Sequence, residues 1–178
     1  MKEIGLKAKL KGEKLSSPKT LTTVAILTAL YIILFIFKLR ISTTTEISFV
    51  YVASGVCGMF FGPLIGGLSA AVGDVISFFI APNGEYFPGF TLSAFVSGFI
   101  YGWVLYGKPV SLKRVMVAVL MDMVICNLVL TPTWLNLMYG TSLLAVPRII
   151  RTVVLYPVKI TVLYQILKHI RVHVKVNG

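Results

Sequence analysis

Six apolar stretches run along the chain, at residues 21–37, 47–61, 64–81, 90–106, 115–130 and 146–167, each ended by a short polar or turn-forming connector. Each approaches the roughly 20 residues that an α-helix needs to cross a bilayer's hydrocarbon. After the first stretch, Lys38 and Arg40 open the segment Ser42-Thr43-Thr44-Thr45-Glu46, which is too polar to continue through lipid and predicts a loop. Gly62-Pro63 separates the second and third stretches, and because proline lacks a donor while glycine allows a tight turn, these two helices should form a close hairpin. Ala81-Pro82-Asn83-Gly84 ends the third stretch, and the following Tyr86-Phe87-Pro88-Gly89 predicts an ordered, aromatic-rich connector. Lys108-Pro109 precedes the fifth stretch, and Thr131-Pro132-Thr133-Trp134 is expected to close it. The pattern predicts an all-α integral membrane protein with six transmembrane helices in one bundle.

Composition agrees with this reading: 57% of the 178 residues are hydrophobic and 13% charged, about half the charge that a soluble domain carries. A net charge of +11 could point to nucleic acid, but the cations sit in tails and connectors, where membrane topology accounts for them. Residues 1–19 hold six lysines against two glutamates and are expected to form a basic N-terminal tail, residues 20–170 the six-helix transmembrane domain, and residues 171–178 a second basic tail. If both termini are cytoplasmic, the six lysines of the first tail fall inside, together with Lys108, Lys113, Arg114, Lys168, Arg171 and Lys175. That satisfies the positive-inside rule, which an inverted or five-helix arrangement does not. No small-residue cleavage site follows the first stretch, so a removable signal peptide is not expected. Cys57 and Cys126 lie inside apolar stretches without metal or redox spacing and read as small buried residues.

Five ionisable residues remain at membrane depth, where each costs roughly 2.5 to 3.5 kcal/mol to insert and so requires a partner or a use. Arg148, Arg151 and Lys159 fall within about an 80-degree arc of one helix face. Asp122 stands at about the depth of Lys159, so these two are expected to pair. Asp74 follows a run of small residues, Gly66-Gly67-Leu68-Ser69-Ala70-Ala71-Val72-Gly73, that permits close helix packing, and no cation is its evident partner. It is either bridged to Arg148 or Arg151 or contacts a ligand, and the second reading is preferred. The arginines, that carboxylate and the connector aromatics Tyr86, Phe87, Trp134 and Tyr139 together suggest a pocket for a flat ring with an anionic tail. Taken singly, each aromatic reads as an interfacial belt residue. Ala25 and Ala29, four apart, leave a groove on the first helix where another helix can approach. No GxxxxGK[ST] loop is present, so uphill transport would draw its energy from a partner or an ion gradient.

These residues resemble those of the substrate-binding S components of energy-coupling factor (ECF) vitamin transporters, most closely the folate-specific ones. The resemblance rests on Gly58-Met59-Phe60-Phe61-Gly62-Pro63 with Gly66-Gly67 and Gly73-Asp74, on Tyr86 through Ala94 leading to Ile100-Tyr101-Gly102, and on Thr133-Trp134-Leu135 with Tyr139-Gly140. It implies a chain that captures folate at the outer face of a bacterial plasma membrane, without catalytic activity or a bound cofactor. It also implies a transmembrane coupling subunit, docked at Ala25 and Ala29, and two ATPase subunits that use ATP. Asp74 would take the pterin, whose amino group and ring N–H one carboxylate can accept together, and Arg148 or Arg151 the glutamate tail. Tyr86, Phe87, Thr91 and Asn127 would contribute further contacts, with Trp134 and Tyr139. The segment from Arg40 to Ser48 is richer in threonine than the family pattern.

Two alternatives stand beside this reading. One is an S component for another flat vitamin, such as riboflavin, thiamine or a queuosine precursor; the last two lack a dicarboxylate tail, against which the arginines argue. The other is a small membrane enzyme that holds a lipid phosphate on Arg148, Arg151 and Lys159. No DxxxD motif or histidine cluster supports it, and His169 and His173 lie past the last apolar stretch.

Overall fold

The computed structural model describes residues 18–42, 45–82, 85–140 and 146–176, with side chains described outside 39–47, 146–151 and 172–176. Helix α1 (Pro18–Ile36) is followed by a two-stranded antiparallel hairpin, β1 (Leu39–Ser42) and β2 (Thr45–Ile47), then by α2 (Val50–Phe61), α3 (Pro63–Ile80) and α4 (Pro88–Leu105). Helix α5 (Leu112–Asp122) passes through a π-helical segment (Met123–Leu130) into α6 (Thr131–Tyr139), and α7 (Val146–Val176) ends the described chain.

Among the described residues, five helices are long and apolar enough to cross a membrane: Pro18–Ile36, Pro63–Ile80, Pro88–Leu105, Leu112–Tyr139 and Thr152–Arg171. Their outward positions, among them Leu64, Leu68, Val72 and Phe79 on α3, are exposed apolar side chains, a surface that only lipid or a membrane partner can cover. Helix α2 is different. At 12 residues it rises about 18 Å, short of the hydrocarbon thickness, and nine of those residues are buried. It is the axis of the bundle, packed by α1, α3, α4 and α7.

Close backbone approach holds α2, α3 and α4 together. A Cβ on Gly58 would lie 2.6 Å from the Gly102 backbone nitrogen, and one on Gly66 would lie 2.9 Å from the Gly58 Cα. Small residues that let helix backbones meet are the main device of packing in lipid, where burial of apolar surface no longer drives helices together. The expected tight turn between α2 and α3 is one residue, Gly62, at φ 90°, where a side chain would be strained, and Pro63 starts the next helix. Thr28 and Ser69 add a buried hydroxyl bond of 2.8 Å between α1 and α3. On the other side of α2, Tyr101, Leu105, Val115, Val119, Leu163 and Leu167 form the main apolar core against α5 and α7.

Three sequence expectations change. The polar segment after α1 pairs as a hairpin, with Leu39 opposite Ile47, Arg40 opposite Glu46 and Ser42 opposite Thr45, so the second helix begins at Val50 rather than near residue 47. Thr131-Pro132 does not close the fifth helix, which continues to Tyr139. Proline is tolerated there because the preceding turns are π-helical, and the Cys126 carbonyl accepts both the Thr131 backbone N–H and the Thr131 hydroxyl, the latter at 2.7 Å. Trp134 and Tyr139 therefore stand on a helix, not in a connector. Lastly, α7 runs past residue 167 to Val176 with Pro157 inside it, so residues 171–176 of the C-terminal tail are helical. Both cysteines are buried and free, as expected.

Candidate functional site

One end of the bundle opens into a cavity of about 500 Å³, a volume suited to a small organic ligand. Its lining comes from the same end of every helix: the last turns of α1 and α3, the first turns of α2 and α4, the π segment, and the first half of α7. The shortness of α2 helps to leave this space, with Val50, Tyr51 and Ser54 on its wall.

Asp74, from α3, lies on the wall. Its Oδ2 accepts a hydrogen bond from the Thr91 hydroxyl of α4 at 2.9 Å, and the Thr91 oxygen is 3.2 Å from the Tyr86 hydroxyl. The chain Tyr86–Thr91–Asp74 thus fixes one carboxylate oxygen and leaves the other's lone pairs available to a donor in the cavity. The Tyr86 ring packs on Phe78 at 5.1 Å and Phe79 at 6.3 Å, which anchors the connector between α3 and α4.

Phe87 lines the cavity, and Trp134 backs it at a ring separation of 5.7 Å. The indole Nε1 donates to Ser93 Oγ at 2.9 Å, so α6 is tied to α4 at the cavity edge. Asn127 lies on the wall together with Asp122, Met123, Cys126 and Thr131. Nine residues of α-helix turn through about 180 degrees, which would set Thr131 opposite Asp122. The wider turns of the π segment instead bring both to the cavity.

The other expected residues are placed less directly. Tyr139, 54% exposed at the end of α6, does not line the cavity. Arg148 and Arg151 fall on the first turns of α7, and their side chains lie outside the described residues, as do those of the Arg40 segment up to Ile47. Ala25 and Ala29 are both exposed on α1, away from the cavity.

Sequence reasoning missed several wall residues. Tyr31 and Phe35 come from the last turns of α1 and Lys38 from just beyond its end, with Lys38 Nζ 4.6 Å from the Phe35 ring centroid. Ser93 and Ser97, four apart in an otherwise apolar stretch, were a usable signal for an inward polar face on α4. The expected pair forms, with Lys159 Nζ 3.7 Å from Asp122 Oδ2, but both residues also line the cavity. Among the described residues no cluster of three or more His, Cys, Asp or Glu side chains could hold a metal.

A carboxylate held by neutral hydroxyls thus stands beside packed aromatics on the wall of a cavity at one end of the bundle. A family model for the substrate-specific component of ECF transporters matches residues 19–172. The chain belongs to this family. Similar relatives are the Folate transporter FolT of Clostridium novyi, 41% identical over 121 residues (67% of this chain and 70% of that protein), and the Folate transporter FolT of Leuconostoc mesenteroides, 34% identical over 154 residues (82% of each). Among solved structures, a crystal structure of FolT bound with folic acid superimposes with a TM-score of 0.77 at 38% identity, covering 83% of this chain and 90% of that one. This S component is therefore a substrate-binding membrane subunit of the folate-specific group rather than an enzyme, and a multi-pass protein of the bacterial plasma membrane.

Proposed function

We propose that this S component binds folate in the cavity and hands it to an energy-coupling module, a transmembrane coupling subunit with two ATPases that consume ATP. In this reading six helices cross the membrane with both termini in the cytoplasm, α2 crossing as a short central helix, and the cavity opens to the outside. The observation that carries it is Asp74. A carboxylate pinned by Thr91 on the wall of an aromatic-lined cavity matches the paired donors of a pterin, its 2-amino group and adjacent ring N–H. Phe87 and Tyr86 supply ring contacts, Asn127 a further polar contact, and Trp134 supports Phe87. Arg148 and Arg151, placed toward the mouth, are assigned to the glutamate tail. The likeness to folate transporters and to a folic-acid-bound structure supports the same ligand.

Delivery is tested by uptake of labelled folic acid in cells that make this chain together with a coupling subunit and two ATPases. Uptake above that of cells lacking the chain supports the reading; no gain from a folded, folate-binding chain contradicts the transport half of it. Ala25 and Ala29 are exposed on a helix that packs mainly on α2 and α3, so α1 offers a flat strip to a partner helix. Ala25→Trp and Ala29→Trp are each expected to abolish uptake while folic acid binding changes by no more than about twofold, since nothing in the cavity is touched. Loss of binding in step with uptake would count against docking at this strip.

A further inference from the structure

The cavity has a second charged station that the folate assignment above does not use. Lys159 and Asp122 line it from α7 and α5, and they differ in how they are held. The Asp122 side chain is 5% exposed and its Oδ2 accepts a hydrogen bond from the fully buried Tyr101 hydroxyl at 3.1 Å. The Lys159 side chain is 17% exposed, with Nζ 5.2 Å from the Tyr51 ring centroid and 3.7 Å from the carboxylate. That separation is ionic contact rather than a hydrogen bond. Among the described residues, then, the carboxylate and the ring fix the ammonium's position without consuming its N–H donors, and the open side of the group is the cavity. A buried ion pair seldom adds stability over an apolar pair of the same size, so a pair kept on a cavity wall calls for a use.

The level of this station along the bundle says which part of a ligand it meets. Asp74 is the twelfth residue of α3 and Asp122 the eleventh of α5. Both helices start at the closed end, where Gly62 lies against the Tyr106 ring, so the two carboxylates stand at about the same height. Lys159 shares that height through Asp122, whereas Arg151 stands eight residues, about 12 Å, nearer the mouth. Helix α3 packs on α1, α2 and α4, and α7 on α2, α5 and the π segment. Asp74 and Lys159 therefore face a common space from different sides.

We propose that Lys159, positioned by Asp122 and Tyr101, determines specificity by donating to the acceptor edge of the ligand's heterocycle, the 4-carbonyl side of a pterin, while Asp74 accepts from its donor edge. This rests on the folate reading. A ring gripped by an acceptor on one side and a donor on the other is fixed in orientation, and a heterocycle with the wrong edge meets donor against donor.

The test is equilibrium binding of three probes to the full chain in detergent: folic acid, pteroic acid, which lacks the glutamate, and aminopterin, in which a 4-amino donor replaces the carbonyl acceptor and ring N3 loses its hydrogen, a second change that falls on Asp74 and is common to the unaltered chain and every Lys159 variant. The unaltered chain should prefer folic acid to aminopterin. Lys159→Met should weaken folic acid and pteroic acid by the same factor, about tenfold or more, and shrink the folic acid to aminopterin preference by at least about tenfold. The neutral pair Asp122→Asn with Lys159→Gln, which removes the buried charge without stranding a partner, should shrink it too and serves if Lys159→Met does not fold. An unchanged preference in either variant makes the pair purely structural and overturns the proposal, as does a loss confined to folic acid, which would place Lys159 on the tail. An unaltered chain that binds no folic acid defeats the folate reading itself; one that binds it without preference over aminopterin defeats only this inference.

Discussion

Asp74→Asn is expected to weaken folic acid binding by about a hundredfold or more while leaving the protein folded. The substitution keeps the side chain's shape and an oxygen for the Thr91 hydroxyl, which donates to Asp74 at 2.9 Å. It removes the charge and replaces one acceptor by an amide donor, so of the two N–H groups on the pterin edge one loses its acceptor and meets a donor. Charge-assisted hydrogen bonds contribute about 1.5 to 3 kcal/mol each, and the change touches two, which converts to the stated factor at about 1.4 kcal/mol per decade. Titration of both forms in the same detergent, with thermal unfolding as a control for folding, checks it. Should the Asp74→Asn variant bind within about threefold of the original, Asp74 would be removed from the site. Thr91→Val should act in the same direction but more weakly, because it frees the carboxylate's orientation and keeps its charge.

The second large effect is structural. Gly58→Val is expected to yield no monodisperse folded protein, because its Cβ would lie 2.6 Å from the backbone nitrogen and 2.9 Å from the Cα of Gly102, atoms of α4 that cannot swing aside. Helices α2 and α4 would have to part. A Cβ on Gly66 would likewise lie 2.9 Å from the Gly58 Cα and 3.0 Å from the Gly98 carbonyl oxygen, so α3 is packed as closely and would be displaced with them. Overpacking a core costs about 1 to 3 kcal/mol where side chains can adjust, and the cost is greater where backbone must move. Gly107→Ala is the contrasting control. Gly107 has φ +65° with nothing within 4 Å of a Cβ, so alanine there adds about 1 to 2 kcal/mol of backbone strain and no clash, and the variant should fold and bind. Size-exclusion profiles of the two proteins decide the matter; a monodisperse Gly58→Val protein would mean that the three helices are not held by backbone contact.

Much of the fold was legible in the residues that lipid makes costly. Gly62-Pro63 marked the turn between α2 and α3, and the charges of Asp122 and Lys159 implied a partnership that the structure forms at 3.7 Å. What was not legible follows from the same physics. In a soluble helix the inward face is the apolar one, but here the lipid-facing side of α1 is as apolar as the side bearing Tyr31 and Phe35, so periodicity could not pick out the residues that line the cavity. Thr131-Pro132 read as a stop because proline ends an ordinary α-helix, and only the π-helical turns before it let the chain continue and carry Trp134 to Ser93. The pairing of Leu39 with Ile47 was hidden within a polar segment too short to show an alternating pattern. Of the expected binding residues, Asp74, Tyr86, Phe87 and Asn127 line one cavity, and Thr91 and Trp134 hold two of them in place.

The central claim is that this cavity is a folate site, and its most direct test is equilibrium titration of the purified full chain in detergent with folic acid, alongside riboflavin and thiamine. Saturable binding of one folic acid per chain, undisturbed by an excess of either other vitamin, is the predicted result. A well-folded chain that shows no saturable folic acid binding, or that binds riboflavin or thiamine in its place, would contradict it.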